Sequence, residues 1–310
     1  MSPLKIMVIG AGAMGSLFGG RLALAGHQVT LIDVWQEHID AINARGLTLN
    51  LVGETHVARC AASRPNDFDG PVDFTILFTK SHQSRAALAG MARSIRADTP
   101  ILTLQNGLGN IETIAEWVAH DQIIAGTTTF PSGLEGPGQI RSPGAGQTRI
   151  MTISGQRTQA LAQIAAALDQ AGLNCDIDEN VEATTWEKVA FNAALNALTA
   201  VAGSPVKVIA DSDYGRDLAA KVVTEVLSVA RAKGIPVNAA AVEASIAMAL
   251  RDHREHQPSM LQDLLAGRCT EIDSINGAVA RQAAELNIPI PVTETLWRLV
   301  KLIESSRVAK

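Results

Sequence analysis

KIMVIGAGAMGS, running from Lys5 to Ser16, decides how the rest of the chain is read. A short apolar run ends on Gly10, and helical spacing sets in at Met14. Between them Gly10, Gly12 and Gly15 form a GxGxxG turn. Each glycine has its own physical reason. Gly10 allows the tight turn, a side chain at Gly12 would block a pyrophosphate, and Gly15 lets the helix pack close to the sheet. The start of that helix presents unpaired N–H groups and a partial positive charge to phosphate. The motif alone is a weak signal. Here the strand before it, the helix after it and its N-terminal position agree on a dinucleotide site at Gly10, Ala11, Gly12, Ala13, Met14 and Gly15. The competing reading is a purely structural turn.

Outward from the turn, strand-like and helix-like patterns alternate. Gln28 to Ile32 is β-rich, and Trp35 to Arg45 is helical and stops at Gly46. Leu47 to Val57 reads as a hairpin around Gly53. Val72 to Thr79 is apolar and β-branched, a buried strand. Ser84 to Ile95 is helical, Pro100 to Leu104 a strand, Ile111 to Val118 a helix and Ile123 to Thr128 a strand. Phe130 to Gly146 is rich in Gly, Pro and Ser and reads as turns with short antiparallel strands. Arg149 to Ser154 is a strand, and Thr158 to Ala171 a helix ended by Gly172. The alternation predicts an α/β domain over 1–178, with a parallel sheet covered on both faces. From 179 to 310 the pattern is all-helical: Glu182 to Ala202, Tyr214 to Lys233, Ala239 to Leu250, Ser259 to Leu265, Glu271 to Leu286 and Thr293 to Glu304.

Composition limits the partners. The 310 residues are 47% hydrophobic and 18% charged, an ordinary globular profile. With 26 Lys and Arg against 31 Asp and Glu, the net charge is −5, which disfavours sequence-independent nucleic-acid binding. Cys60, Cys175 and Cys269 are scattered and form no CxxC. That argues against disulfides or a zinc site and fits a reducing, cytoplasmic setting. His253, Glu255 and His256 read as a solvated helix end rather than metal ligands, so no metal is expected. Ile6 to Gly20 and Val189 to Val206 are uncharged. The first reads as strand, turn and helix rather than a signal peptide, and the second as a buried helix rather than a membrane span.

Several polar residues stand where chemistry is expected. Asp33 ends the second strand, where a carboxylate can accept from the adenine-ribose hydroxyls and would repel a 2′-phosphate. This favours NADH; the alternative is a cap for the next helix. Lys80 and Asn106 follow the third and fourth parallel strands, at the carboxyl edge where open α/β sheets bind ligands. Next to Gly107, Asn106 reads equally well as a turn residue. Lys188, Asn192 and Asn196 recur every four residues, along one face of an otherwise apolar helix. They form either a polar cleft wall or a solvent stripe. Ser259 and Thr270 by themselves read as helix caps.

At these residues the chain resembles the ketopantoate reductase family, which has a 6-phosphogluconate-dehydrogenase-like C-terminal domain. The resemblance rests on GAGAMGS, Lys80, Gln105-Asn106-Gly107, the Lys188, Asn192 and Asn196 helix, and SMLQDLLAGRCTEIDSINGAV at 259 to 279. It implies a Rossmann-type, doubly wound, mostly parallel sheet followed by an all-helical second domain, with the site in the cleft between them. It also implies reduction of 2-dehydropantoate, a small 2-keto acid, by NADPH or NADH. In that scheme Lys188 and Glu271 are catalytic. Asn106, Asn192, Asn196 and Ser259 bind substrate. Lys80, Asn106 and Glu271 contact cofactor. Many members carry an Arg soon after the second strand, where this chain has Leu31-Ile-Asp33-Val-Trp35. That departure is similar to a branch of NAD-dependent D-2-hydroxyacid dehydrogenases, including D-mandelate dehydrogenases. A non-catalytic dinucleotide-binding module is the reading from a different class, and it would not need both Lys188 and Glu271. The long apolar helices of the second half allow a homodimer through them.

Overall fold

Ile6 to Ile9 are all buried, and they alternate between two cores. Ile6 and Val8 pack with Phe18, Leu22 and Leu168, whereas Met7 and Ile9 pack with Leu88, Met91 and Ile114. A strand apolar at successive positions belongs in the middle of a sheet covered on both faces. The computed structural model describes residues 2–308. The chain divides into two compact units. One runs up to Gln105 and resumes at Asn110–Val181; the other joins Asn106–Gly109 to the chain from Glu182 onward.

In chain order the first unit contains β1 (Lys5–Ile9), α1 (Ala13–Leu24), β2 (Gln28–Ile32), α2 (Gln36–Arg45), β3 (Leu47–Leu51), β4 (Glu54–Ala58) and β5 (Ala61–Ser63). There follow β6 (Phe74–Leu77), α3 (Ser84–Gly90), β7 (Ile101–Thr103), α4 (Asn110–Ile114), β8 (Ile123–Thr128), β9 (Gly133–Gly136), β10 (Gln139–Arg141), β11 (Thr148–Thr152), α5 (Gln159–Gln170) and β12 (Cys175–Ile177). The main sheet has the order β12-β11-β8-β7-β6-β1-β2-β5. All its pairings are parallel except β8 with β11. A small sheet, β4-β3-β10-β9, carries the hairpin around Gly53 and the glycine-rich segment after Phe130.

The strand order reverses at β1, so β1 and β6 end side by side. Phe78 N donates to Ile9 O at 2.8 Å. This is the crevice where open α/β sheets take ligands. Gly10 turns there with φ +93°, and a Cβ on it would lie 2.7 Å from Thr79 N. Gly15 has a tighter reason: its Cβ would lie 1.8 Å from Gly10 O. The helix is thus packed against the turn that starts it.

The second unit is built around α6 (Val181–Ala202), whose first residue still clusters with the first unit. Val189, Ala190, Ala193, Ala194, Leu195 and Ala197 are all buried. These are mostly alanines, small side chains that belong to the core of the helical unit. Around it stand α7 (Lys207–Ala210), α8 (Asp213–Ala232), α9 (Ala239–Asp252), α10 (Ser259–Leu265), α11 (Asn276–Glu285) and α12 (Pro291–Val308). Pro291 opens α12, where a missing N–H costs nothing. The Glu225 carboxylate accepts from the next two amides, Val292 N at 3.0 Å and Thr293 N at 2.7 Å.

The expected architecture is present, with local differences. The helix expected over Ser84 to Ile95 stops at Gly90 and continues as single turns. The helix expected from Glu271 starts at Asn276, and 271–275 form turns. Strands β5 and β12 have three residues each, too few for an alternation to register. No helix among the described residues is long and apolar enough to cross a membrane. Gly15→Ala is expected to destabilise the protein by about 1–3 kcal/mol, the usual cost of overpacking. Denaturant unfolding would measure it, and dinucleotide affinity should fall with it.

Candidate active site

The first intrahelical bond of α1 is Ser16 N to Gly12 O at 2.9 Å. The amides of Gly12, Ala13, Met14 and Gly15 therefore have no acceptor within the helix. Gly12 differs from its two companions. It is exposed, and a Cβ on it would meet nothing within 4 Å. Packing inside the protein does not demand glycine at that position, whereas a pyrophosphate lying against the turn does. The residues present fit a dinucleotide. Ala11 is buried, and its amide donates to Asp33 Oδ2 at 2.7 Å. That engages the Ala11 N–H, so a phosphate at the turn would be met by the amides that follow it.

Asp33 does more than either sequence reading foresaw. Its Oδ1 accepts from Val34 N at 2.8 Å and Trp35 N at 3.0 Å, while Oδ2 holds Ala11. Its bonds are to the residues before α2 and not to the first amides of that helix, so it is not the α2 cap. It ties the end of β2 to the glycine turn. Lys80 is half-buried just after β6, and its carbonyl accepts from Gln83 N at 2.8 Å. Gln105, at the end of β7, donates to Thr79 O and to Ser84 Oγ at 2.8 Å. This locks the ends of β6 and β7 together.

Asn106, Lys188, Asn192, Asn196, Ser259 and Glu271 lie in the second unit. Asn106 Nδ2 donates to Glu271 Oε2 at 3.4 Å. Lys188 and Asn192 are half-buried and Asn196 is buried, so this face of α6 is not a solvent stripe. Glu271 is buried beside Lys188. Burial pushes the Lys188 ammonium down to about 8, and the Glu271 carboxylate opposes that fall. The group is therefore a proton donor and acceptor poised close to neutral pH. Asn276, fully buried, donates to Ala193 O at 3.1 Å and fixes the start of α11 against α6. Ser259 is exposed in the first turn of α10, and the residue at the cap is Pro258.

The turn that carries Glu271 is held by α12, which the sequence reading did not connect with the site. Thr270 donates to Glu304 Oε1 through both its amide (2.8 Å) and its hydroxyl (2.7 Å). Lys301 Nζ bridges Asp273 Oδ2 at 2.8 Å and Glu304 Oε2 at 2.9 Å. Trp297 Nε1 donates to Asp273 Oδ1 at 2.7 Å. From the other side Leu108 N donates to Ser274 O at 2.7 Å. The three-residue spacing of Lys301 and Glu304 on a helix is the signal that could have pointed to this pair. Among the described residues no cluster of three or more His, Cys, Asp and Glu is placed to hold a metal ion.

Known proteins resemble this chain over nearly its whole length. The family described as Ketopantoate reductase PanE/ApbA matches residues 6–155, and its C-terminal counterpart matches residues 180–304. A 2-dehydropantoate 2-reductase of Pyrococcus horikoshii is 37% identical, covering 97% of this chain and 98% of its own. Among solved structures, D-mandelate dehydrogenase with NADH and anilino(oxo)acetate is 32% identical with a TM-score of 0.94, over 98% of this chain and 100% of that one. A PanE/ApbA family ketopantoate reductase of Ralstonia eutropha JMP134 is 31% identical with a TM-score of 0.90, over 98% and 100%.

The Lys188–Glu271 relation can be tested without any reaction. Glu271→Gln removes the charge that supports the ammonium, so the Lys188 midpoint should drop below about 8. Side-chain NMR of the lysine nitrogen against pH would record it, and a rise would contradict the geometry.

Proposed function

The chain belongs to the ketopantoate reductase family, and from that premise we propose that it reduces the keto group of 2-dehydropantoate to the alcohol of pantoate. This is a step of pantothenate biosynthesis. The enzyme is an oxidoreductase that uses a nicotinamide dinucleotide, and the bound reduced nicotinamide supplies the hydride. The observation that carries the reading is a lysine brought close to neutral pH beside a buried carboxylate on the family's own motif.

Lys188 polarises the keto oxygen and gives it a proton as negative charge develops there. A lysine with a midpoint near 8 gives up that proton more readily than one at its ordinary value. Glu271 keeps the ammonium charged and oriented, and Asn106 shares that carboxylate. Asn192 and Asn196 supply amide donors and acceptors to the substrate from the same helix face, and Ser259 binds its carboxylate. Gly12 to Gly15 bind the pyrophosphate through backbone amides. Lys80 attracts the anionic cofactor, and Asp33 accepts from the ribose hydroxyls with its remaining lone pairs.

Asp33 also supports NADH over NADPH, because a 2′-phosphate beside that carboxylate is repelled. The same residue favours a second reading, an NAD-dependent D-2-hydroxyacid dehydrogenase. That reading draws further support from the TM-score of 0.94 to the D-mandelate dehydrogenase with NADH. Both readings use the same acid and differ in the side chain of the keto acid.

Steady-state rates with 2-dehydropantoate, 2-ketoisovalerate and phenylglyoxylate, each with NADH and NADPH, should show the highest kcat/KM for 2-dehydropantoate. A clear preference for phenylglyoxylate would transfer the assignment to the second reading. Asp33→Ala should lower kcat/KM for NADH relative to NADPH. Lys188→Ala should lose about 10²-fold or more in rate, the usual contribution of a positioned acid, with dinucleotide affinity nearly unchanged. The free-enzyme kcat/KM for reduction should fall as pH rises through about 8, where the ammonium is lost. Oxidation of the alcohol needs the neutral amine and should rise over the same range.

A further inference from the structure

His38 is fully buried in α2, yet no step above uses it. Its Nδ1 accepts from Gly138 N at 2.9 Å, so the ring proton sits on Nε2. Nε2 lies 3.2 Å from Ser16 Oγ. The serine hydroxyl spends its own hydrogen on Ala11 O at 2.8 Å, and so receives the one from His38. Trp35 stacks on the imidazole with ring centroids 5.2 Å apart. Burial pushes His38 below the usual histidine range, against the raising effects of Asp33 and the Ala11 backbone, which keeps the ring neutral as the Gly138 donor requires.

The chain of bonds ends on the phosphate-binding turn. Ala11 is tied on both sides, its carbonyl to Ser16 and its amide to Asp33. A trans peptide is planar, so the Ala11 carbonyl and the Gly12 N–H point in opposite directions. Drawing the carbonyl toward Ser16 turns the Gly12 N–H to the side where Gly12 is exposed. Left alone, a helical serine hydroxyl tends to bond the carbonyl four residues back. That atom is Gly12 O, which already accepts from Ser16 N at 2.9 Å. The hydrogen from His38 decides which way the hydroxyl turns.

We propose that His38 and Ser16 are positioning residues of the dinucleotide site: the neutral imidazole orients the serine hydroxyl, and the hydroxyl orients the Ala11–Gly12 peptide so that its N–H meets the pyrophosphate. This rests on the turn being a dinucleotide site and is independent of the keto acid. Gly138 anchors the far end, since its carbonyl accepts from Thr48 N at 2.9 Å in the small sheet. The turn before β10 in the small sheet is thereby linked through one imidazole to the glycine turn.

The test is a fluorescence titration of NADH and NADPH without keto acid, on Ser16→Ala, His38→Asn and His38→Gln. The glutamine nitrogen reaches the place of Nε2 and keeps the donor to Ser16, whereas the asparagine oxygen reaches the place of Nδ1 and loses it. Ser16→Ala and His38→Asn are expected to weaken Kd about three- to tenfold, the worth of one buried neutral hydrogen bond. His38→Gln should stay within about twofold of the unaltered protein, and the Ser16→Ala, His38→Asn double variant should bind about as well as either single one. KM for the dinucleotide should follow Kd while kcat changes little. An unchanged Kd in Ser16→Ala overturns the proposal, even if the His38 variants do not fold. Equal losses in His38→Gln and His38→Asn that merely track Tm overturn it as well. Failure of the unaltered protein to bind either dinucleotide would instead remove the reading of the turn on which it rests.

Discussion

A half-buried lysine set beside a buried glutamate is the constraint around which the helical unit is organised. Neither charge is cheap to bury, and each is tolerated because the other is there. Burial lowers Lys188 to about 8, Glu271 limits that fall, and Asn106 is a further hydrogen-bond partner of the glutamate. Everything that fixes their spacing is structural in consequence. The lysine is fixed by α6, the most buried helix of that unit. The glutamate is fixed by a turn that would have little order of its own, and which α12, the Asn106–Gly109 segment and the start of α11 hold from three directions. The ion-paired cluster of Asp273, Lys301 and Glu304 lies partly exposed, and its worth is in geometry more than in free energy.

The first unit solves a different problem. Phosphate is to be met by backbone rather than by side chains, so peptide planes must be aimed. Gly10 and Gly15 are glycines because the protein itself leaves no room for a Cβ, whereas Gly12 is open. Asp33 and Ser16 then take the Ala11 peptide groups inward. Through Ala11, Val34 and Trp35 the one carboxylate of Asp33 fixes the backbone both at the glycine turn and at the end of β2.

Much of this was legible beforehand because it is local. The GxGxxG turn, the strand ends carrying Lys80 and Asn106, and the four-residue recurrence of Lys188, Asn192 and Asn196 can be read from short windows. The resemblance of 259 to 279 to a known family supplied Glu271, which no periodicity would have singled out. What stayed hidden depends on distant partners. Nothing near Glu271 says that its segment is a turn rather than helix; that follows from Thr270 being tied to Glu304. Nothing near His38 announces Gly138, which lies 100 residues on in the turn between β9 and β10. The short strands β5 and β12 exist because a neighbouring strand offers an edge, and three residues carry no pattern of their own.

The boundary between the two units is not a single cut in the chain. Asn106–Gly109 is threaded from between two parts of the first unit, yet it packs with the helices that follow Glu182. Leu108 supplies the amide that Ser274 needs, and Gly107 lies so close to Ser274 O that a Cβ would come within 2.3 Å of it. The helical half is therefore not a transplantable cassette. Recombining it with another nucleotide-binding half at residue 181 would exchange the Glu271 turn's own buttress for a stranger's, so a working exchange must carry that four-residue loop together with the helices it serves.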